Sequence, residues 1–169
     1  MKENFDKCFQ HTLKEEGGYV NHPSDPGGRT NLGVTQRAWE AYVGHPVTEQ
    51  DMRDLTPDVV RSFYKKRYWD VCRCDDLDSG VDLVVFDIAV NAGPGRASRF
   101  LQEAVGAVVD GSIGDRTVAA AKNFGANTLI NKISDRRESY YRSLSTFPTF
   151  GRGWLARTER VRADALKMI

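Results

Sequence analysis

Hydrophobic positions along this chain recur at helical spacing. Phe5, Cys8, Phe9, Thr12 and Leu13 fall on one face after Asn4, a residue suited to capping, and Gly17-Gly18 stops the run. An irregular stretch follows, Tyr19-Val-Asn-His-Pro-Ser-Asp-Pro-Gly-Gly-Arg-Thr-Asn-Leu-Gly-Val34, whose prolines and glycines predict a structured loop with room for one small hairpin. Thr35 caps a helix that Gly44 ends, and Thr48 and Asp51 stand at capping-box spacing. Thr56-Pro57 opens another helix, carrying Val59, Val60, Phe63 and Tyr64 and running to about Trp69. Val81, Val84, Val85 and Ile88 form an i, i+3, i+4, i+7 stripe that predicts a buried helix, broken by Asn91-Ala-Gly-Pro-Gly95. Further helices are expected over 96–105, 117–124, 128–144 and 154–168, with a turn at Asp110-Gly-Ser-Ile-Gly114. Strand alternation is weak throughout. The expected fold is mostly α (an α+β class): a helical bundle around a central buried helix, with a small β or loop lobe near residues 19–35.

Composition narrows the class. The 169 residues are 40% hydrophobic and 28% charged, which describes a globular chain of one domain, with or without a small appended module. No run approaches the roughly 18 apolar residues that span a bilayer, and the N-terminal residues lack the apolar core of a signal peptide. No stable membrane insertion is expected. Cys8, Cys72 and Cys74 are odd in number, and two of them are one residue apart, so they are no disulfide framework and fit a reducing compartment. Net charge is +1, but residues 132–169 carry nine basic against four acidic side chains, +5, leaving −4 for the remainder. A basic C-terminal segment suits an anionic polymer, and also a solvated helix face.

The candidate chemistry starts at Glu15-Glu16-Gly17-Gly18-Tyr19. A carboxylate closes an apolar-faced helix, and periodicity turns Glu16 rather than Glu15 towards the core. Eight residues separate Glu16 from Asp25, and Thr30 follows. A Pro- and Gly-rich loop folded back over the helix end would set Asp25 and Thr30 opposite Glu16. Two facing carboxylates are what glycoside hydrolysis needs: one protonated by a partly apolar site to donate to the leaving oxygen, one ionised to activate water or stabilise the sugar cation. Each residue also has a plainer reading, Glu16 as a solvated helix end and Asp25 as a turn residue before Pro26. Asp87 and Asn91, four apart on an apolar helix, share a face and could bind sugar N-acetyl groups, or serve as buried hydrogen-bonding groups. Tyr19 could stack on a sugar or pack in the core, and Trp69 and Trp154 read as packing residues. His11, His22 and His45 form no zinc motif, and Asp76, Asp78 and Asp87 fail as a calcium loop because Val81 stands where glycine is required. Cys8, on the apolar face of the first helix, reads as a core thiol rather than a nucleophile.

The run Glu16-Gly-Gly-Tyr-Val-Asn-His-Pro-Ser-Asp-Pro-Gly-Gly-Arg-Thr-Asn-Leu-Gly-Val-Thr35 resembles the signature of the glycoside hydrolase 108 family, N-acetylmuramidases of bacteriophages and bacteria. His22 departs from it, since the family commonly has Asp there. Phe86-Asp-Ile-Ala-Val-Asn-Ala-Gly-Pro-Gly95, Leu101-Gln-Glu-Ala-Val-Gly106 and Asp110-Gly-Ser-Ile-Gly-Asp-Arg-Thr117 resemble the peptidoglycan-binding region usually joined to it. The resemblance implies a lysozyme-like fold, with a catalytic region over 1–90 and a wall-binding region over 91–169 packed into one globule. It implies Glu16 as acid, Asp25 and Thr30 as its assistants with Thr35 as the fallback for Thr30, and cleavage of the β-1,4 bond between N-acetylmuramic acid and N-acetylglucosamine. Tyr19, Asp87 and Asn91 are the expected substrate contacts. Bacterial peptidoglycan is the expected partner, with no nucleic acid, metal or cofactor, and the chain is expected to act as a monomer. Endolysin logic implies synthesis in a host cytoplasm and holin-type release to the wall. Two alternatives stay open: a lytic transglycosylase using Glu16 alone, and a non-catalytic wall-binding module.

Overall fold

The computed structural model describes residues 1–21 and 28–169, and the chain divides into two compact units, residues 9–66 and residues 1–8 with 67–169. Helices α1 (Phe5–Glu15), α2 (Gln36–Val43), α3 (Glu49–Arg53) and α4 (Pro57–Tyr64) surround a small antiparallel sheet of β1 (Val20–Asn21), β2 (Arg29–Asn31) and β3 (Val34–Thr35). Helices α5 (Val81–Ala92), α6 (Pro94–Val105), α7 (Asp115–Ala121), α8 (Ala126–Ser143) and α9 (Phe147–Leu166) follow. The fold is mostly α with a small β lobe, as the hydrophobic pattern predicts. No helix among the described residues is long and apolar enough to cross a membrane.

Local signals place most elements of the 9–66 unit. The Thr35 hydroxyl accepts from Ala38 N at 3.1 Å and caps α2, and Gly44 ends that helix with φ 84°. Thr48 and Asp51 form the reciprocal box that starts α3. Thr56 caps α4, and a π-helical turn carries the chain on through Lys65–Trp69. Phe9, Trp39, Phe63 and Tyr64 supply the aromatic core, with Phe9 and Tyr64 rings 5.3 Å apart. Asn31 is buried and its Nδ2 donates to Met52 O at 2.8 Å, which ties β2 to α3.

The expected single hairpin is a three-stranded sheet, in which Thr30 pairs with both Val20 and Thr35. Its second turn rests on Leu32 (φ 52°) and Gly33 (φ 76°), two successive left-handed residues as a type I′ hairpin requires. Leucine in the first of these positions carries no turn signal, so Gly33 alone marks this hairpin in the sequence. Its conformation is supported from outside by the Tyr64 hydroxyl, which donates to Leu32 O at 2.6 Å.

In the other unit α5 is the buried centre, and α6, α8 and α9 pack against it. Residues Val81 through Ala89 are all buried, so the apolar stripe widens to the full circumference of the helix. Trp69 is fully buried against the rings of Phe5 and Phe86, and its indole N–H donates to Asp75 at 2.7 Å. The three cysteines are free and buried. Burial pushes the Cys72 thiol up to about 11 and Cys8 and Cys74 further above their ordinary value, as suits core thiols.

The last four helices all start earlier than expected, α6, α7 and α8 by two residues and α9 by seven. Helix α9 begins at Phe147, not 154, because Pro148 stands in its first turn and the Phe147 ring covers Gly151, leaving no room there for a Cβ. Helix α7 begins at Asp115, so Thr117 lies inside it, buried, where its hydroxyl accepts from Gln102 Nε2 at 3.2 Å. The same Gln102 amide donates to Asp110 at 2.8 Å and to Ser112 O at 3.0 Å, which fixes the turn before α7.

Asp87 holds the helices together. It is wholly buried on α5, takes two hydrogen bonds from Arg157 of α9 (3.1 and 3.0 Å), and forms an ion pair with Arg137 of α8 at 2.8 Å. Arg137 continues to the Tyr141 hydroxyl at 3.0 Å and to Asn91 Oδ1 at 3.3 Å. Removing one member of such a cluster strands the others in a low-dielectric interior. Asp87→Ala should therefore cost about 3–5 kcal/mol of unfolding free energy, read by urea denaturation; a loss below about 1 kcal/mol would show that the arginines find other partners.

Candidate active site

Glu16 is the first residue beyond α1, and its N–H closes the last turn onto Leu13 O at 3.1 Å. Gly17 follows with φ 91°, which turns the chain out of the helix. Glu16 is half-buried. Its side-chain stem lies against Gly33: a Cβ at that position would meet Glu16 Cβ and Cγ at 3.0 Å and the Tyr64 hydroxyl at 2.5 Å. Glycine is thus required at residue 33 twice over, for the left-handed turn and for the approach of Glu16. The β2–β3 turn, the Glu16 stem and the Tyr64 hydroxyl meet at one point, and the Tyr64–Leu32 bond holds that point in register.

Thr30 sits at the centre of β2, half-buried, three residues before Gly33. Strand alternation puts its side chain on the face opposite Asn31, which is turned to α3. The hydroxyl of Thr35 is committed to capping α2. Asp25 and His22 lie outside the described residues.

Tyr19 is clamped rather than open. Its hydroxyl donates to Glu49 Oε1 at 3.1 Å, and the Arg53 guanidinium lies 4.0 Å from its ring centroid. Glu49 also accepts from Arg53 Nη2 at 3.1 Å, and these two donors, Arg53 first and Tyr19 second, hold its carboxyl below the ordinary glutamate value. One face of the tyrosine ring is therefore occupied from within the protein.

The expectation that Asp87 and Asn91 present one ligand-facing surface divides. Asp87 is closed off with its two arginines and cannot touch a solvent-borne sugar. Asn91 is exposed at the end of the same network. Its Oδ1 accepts from Arg137 and Tyr141, which fixes the amide and leaves Nδ2 as the outward donor. Beside it, Trp154 is half-buried and stacks on Tyr141 at 5.1 Å, with the exposed Phe150 ring 5.6 Å further out. Spacing and motif alone do not reveal Tyr64, Glu49, Arg53 or the arginine pair; Gly33 stands in the motif over 16–35, but nothing there shows that it makes room for Glu16.

A sequence model of the family described as glycosyl hydrolase 108 matches residues 9–93, and one described as a predicted peptidoglycan domain matches residues 96–159. Among solved structures, that of Brucella abortus SagA is similar along nearly the whole length. The TM-score is 0.89 and the identity 41%, over 99% of this chain and 97% of that one. No curated protein sequence matches.

Gly33→Ala should lower stability by about 1–3 kcal/mol, the cost of a strained left-handed residue, in a urea titration. Adding Tyr64→Phe should cost less than the sum of the two single changes, because it deletes the hydroxyl that the new methyl meets; strict additivity would mean the contact carries no strain. For Glu49, a depressed folded-state pKa means that its bonds are fully present above the unfolded value of about 4.3 and lost as pH falls through the folded value. Tyr19 ring resonances should hold steady from about pH 7 to about 5 and move only in acid, and Glu49→Gln should abolish that movement. A wild-type transition near neutrality would contradict the clamp.

Proposed function

The chain belongs to the glycosyl hydrolase 108 family and carries a peptidoglycan region behind the hydrolase region, so it is a hydrolase of peptidoglycan, and from that premise we propose that it is an N-acetylmuramidase. It cuts the β-1,4 bond between N-acetylmuramic acid and N-acetylglucosamine. Glu16 protonates the glycosidic oxygen. Asp25 activates the attacking water or stabilises the sugar cation, and Thr30 helps to hold the water. Asn91 donates its outward amide to an N-acetyl carbonyl, and Tyr19 borders the sugar with its free edge. Asp87 acts indirectly, positioning Asn91 through Arg137.

The observation that carries this reading is the fixation of Glu16. A general acid must meet the leaving oxygen in one orientation, and restricting its freedom beforehand removes part of the barrier. The stem of Glu16 packs beside a backbone without a side chain, at a turn held by the Tyr64–Leu32 bond, which confines the first part of its side chain. A solvated helix-end glutamate needs no such arrangement. The same reading has the protein working as a monomer on the wall, reached from a host cytoplasm by a holin-type route.

Mass spectrometry of the fragments from purified peptidoglycan tests the proposal. Wild type should release fragments with reducing N-acetylmuramic acid ends. Glu16→Gln should lose about 10²–10⁴-fold in rate with its circular dichroism spectrum intact, and Asp25→Asn should lose less. Anhydro-muramyl ends would replace the hydrolase with a transglycosylase, and full activity in Glu16→Gln would remove Glu16 from the mechanism.

A further inference from the structure

We propose that the groove between α6 and α8 is a subsite for the peptide stem of peptidoglycan, in which Arg96 and Arg99 take a stem carboxylate; this rests on the peptidoglycan reading above and adds to it the part of the polymer recognised here.

The groove is built by two facing stripes. Arg96, Arg99, Phe100 and Glu103 recur at i, i+3, i+4, i+7 on α6, and Lys132, Arg136, Ser139 and Ser143 recur at i, i+4, i+7, i+11 on α8. Two cavities of about 330 Å³ each lie along it and share Glu103, Arg136 and Ser139, so they form one trough. The positive end is organised but not neutralised. The Arg96 guanidinium lies 4.0 Å from the centroid of the Tyr140 ring, which fixes its plane, and its Nε has no hydrogen-bond partner among the described residues. Arg99 lies against the backbone of Gly111. Neither arginine has a carboxylate within ion-pair distance among the described residues. The acid that feels Arg99, Asp110, is already held by Gln102 and by Ser112 N. Several other surface arginines are spent: Arg73, Arg142 and Arg162 each have carboxylate partners at 3.2 Å or less.

Size and charge select the occupant. From Lys132 to Ser143 the helix rises about 16 Å, and an extended tetrapeptide spans about 13–14 Å. The trough is also mixed in sign. Past the free arginines the charges offset one another: Glu103 is ion-paired with Arg136, and Asp135, beside Lys132, with Arg162. A polyphosphate chain carries charge at every unit, which the charge-balanced stretch does not match. A stem peptide presents single carboxylates among neutral peptide groups, so it complements a groove that is cationic at one end and charge-balanced further along. Guanidinium forks match carboxylates in geometry as well as charge; the Ser139 hydroxyl can serve the peptide backbone, and Ser143, whose hydroxyl donates to Tyr140 O at 2.6 Å, can accept from it.

Calorimetry on the full chain tests this with a probe that contains no glycosidic bond: the tetrapeptide L-Ala-γ-D-Glu-L-Lys-D-Ala, against the same peptide with its carboxylates amidated. Because neither peptide can be hydrolysed at a sugar, the result is independent of whether the muramidase reading holds. Wild type should bind the acid form at least tenfold more tightly than the amide. Arg96→Gln with Arg99→Gln should erase that difference, and Arg96→Lys with Arg99→Lys should keep part of it. Equal binding of the two peptides by wild type, no binding of either, or a glutamine variant that still discriminates would overturn the proposal. Tighter binding of a glycerol-phosphate oligomer than of the acid peptide would overturn it too, by giving the groove to an anionic polymer.

Discussion

Asp87 is a carboxylate with no access to water, and the helical unit is arranged to make that tolerable. Taking one charge into the interior costs several kcal/mol unless opposite charge and hydrogen bonds surround it. Two guanidinium groups do so here, and they come from different helices, Arg137 on α8 and Arg157 on α9. The requirement is directional. A forked donor pair facing one carboxylate is satisfied over a narrow range of rotations of α8 and α9. The side chains that follow from that rotation include Tyr141, which supports Trp154, and Asn91, whose amide is oriented by the same Arg137. A buried charge thus sets the direction of groups at the surface.

The constraint around Glu16 is of the opposite kind, an absence rather than a charge. Gly33 makes room for the glutamate stem and adopts a backbone angle that other residues resist. The Tyr64 hydroxyl keeps the turn from relaxing, since its bond to Leu32 O would be lost if the turn opened. Steric fit at one point and an ion cluster at another both reduce the freedom of side chains that would act on substrate.

What is legible in the sequence is local. Caps at Thr35, Thr48 and Thr56 are decided within four residues, and all three appear where the pattern puts them. The apolar run at 81–89 announces a buried helix because no exposed helix sustains such composition. What is illegible depends on distant partners. Leu32 is held left-handed by a tyrosine 32 residues away, and Gly151 is tolerated in α9 because a ring covers it. Spacing alone puts Asp87 and Asn91 on one face; which of them turns inward is decided by arginines 50 and 70 residues further on, among many that the basic C-terminal segment offers. The preference for Glu16 over Glu15 rests on periodicity, and the structure adds the packing of its stem, while Asp25 stays outside the described residues.

The join between the two family regions falls between residues 93 and 96, at Gly93-Pro94, where Gly93 both ends α5 and begins α6. As a sequence boundary this is natural: glycine with φ 97° followed by proline turns the chain sharply. As a physical boundary it is not one. Helix α5 lies in the hydrolase match but is covered by α6, α8 and α9 from the region behind it, and Asp87 has its counter-ions there. A hydrolase region alone would expose the apolar circumference of α5 and leave an unpaired carboxylate in it; the second region alone would hold two buried arginines with no acid. Each supplies the charge that the other cannot bury unaided, so α5 and the second region are one folding problem, and a residue that binds wall polymer on α6 or α8 is coupled, through α5, to Asn91.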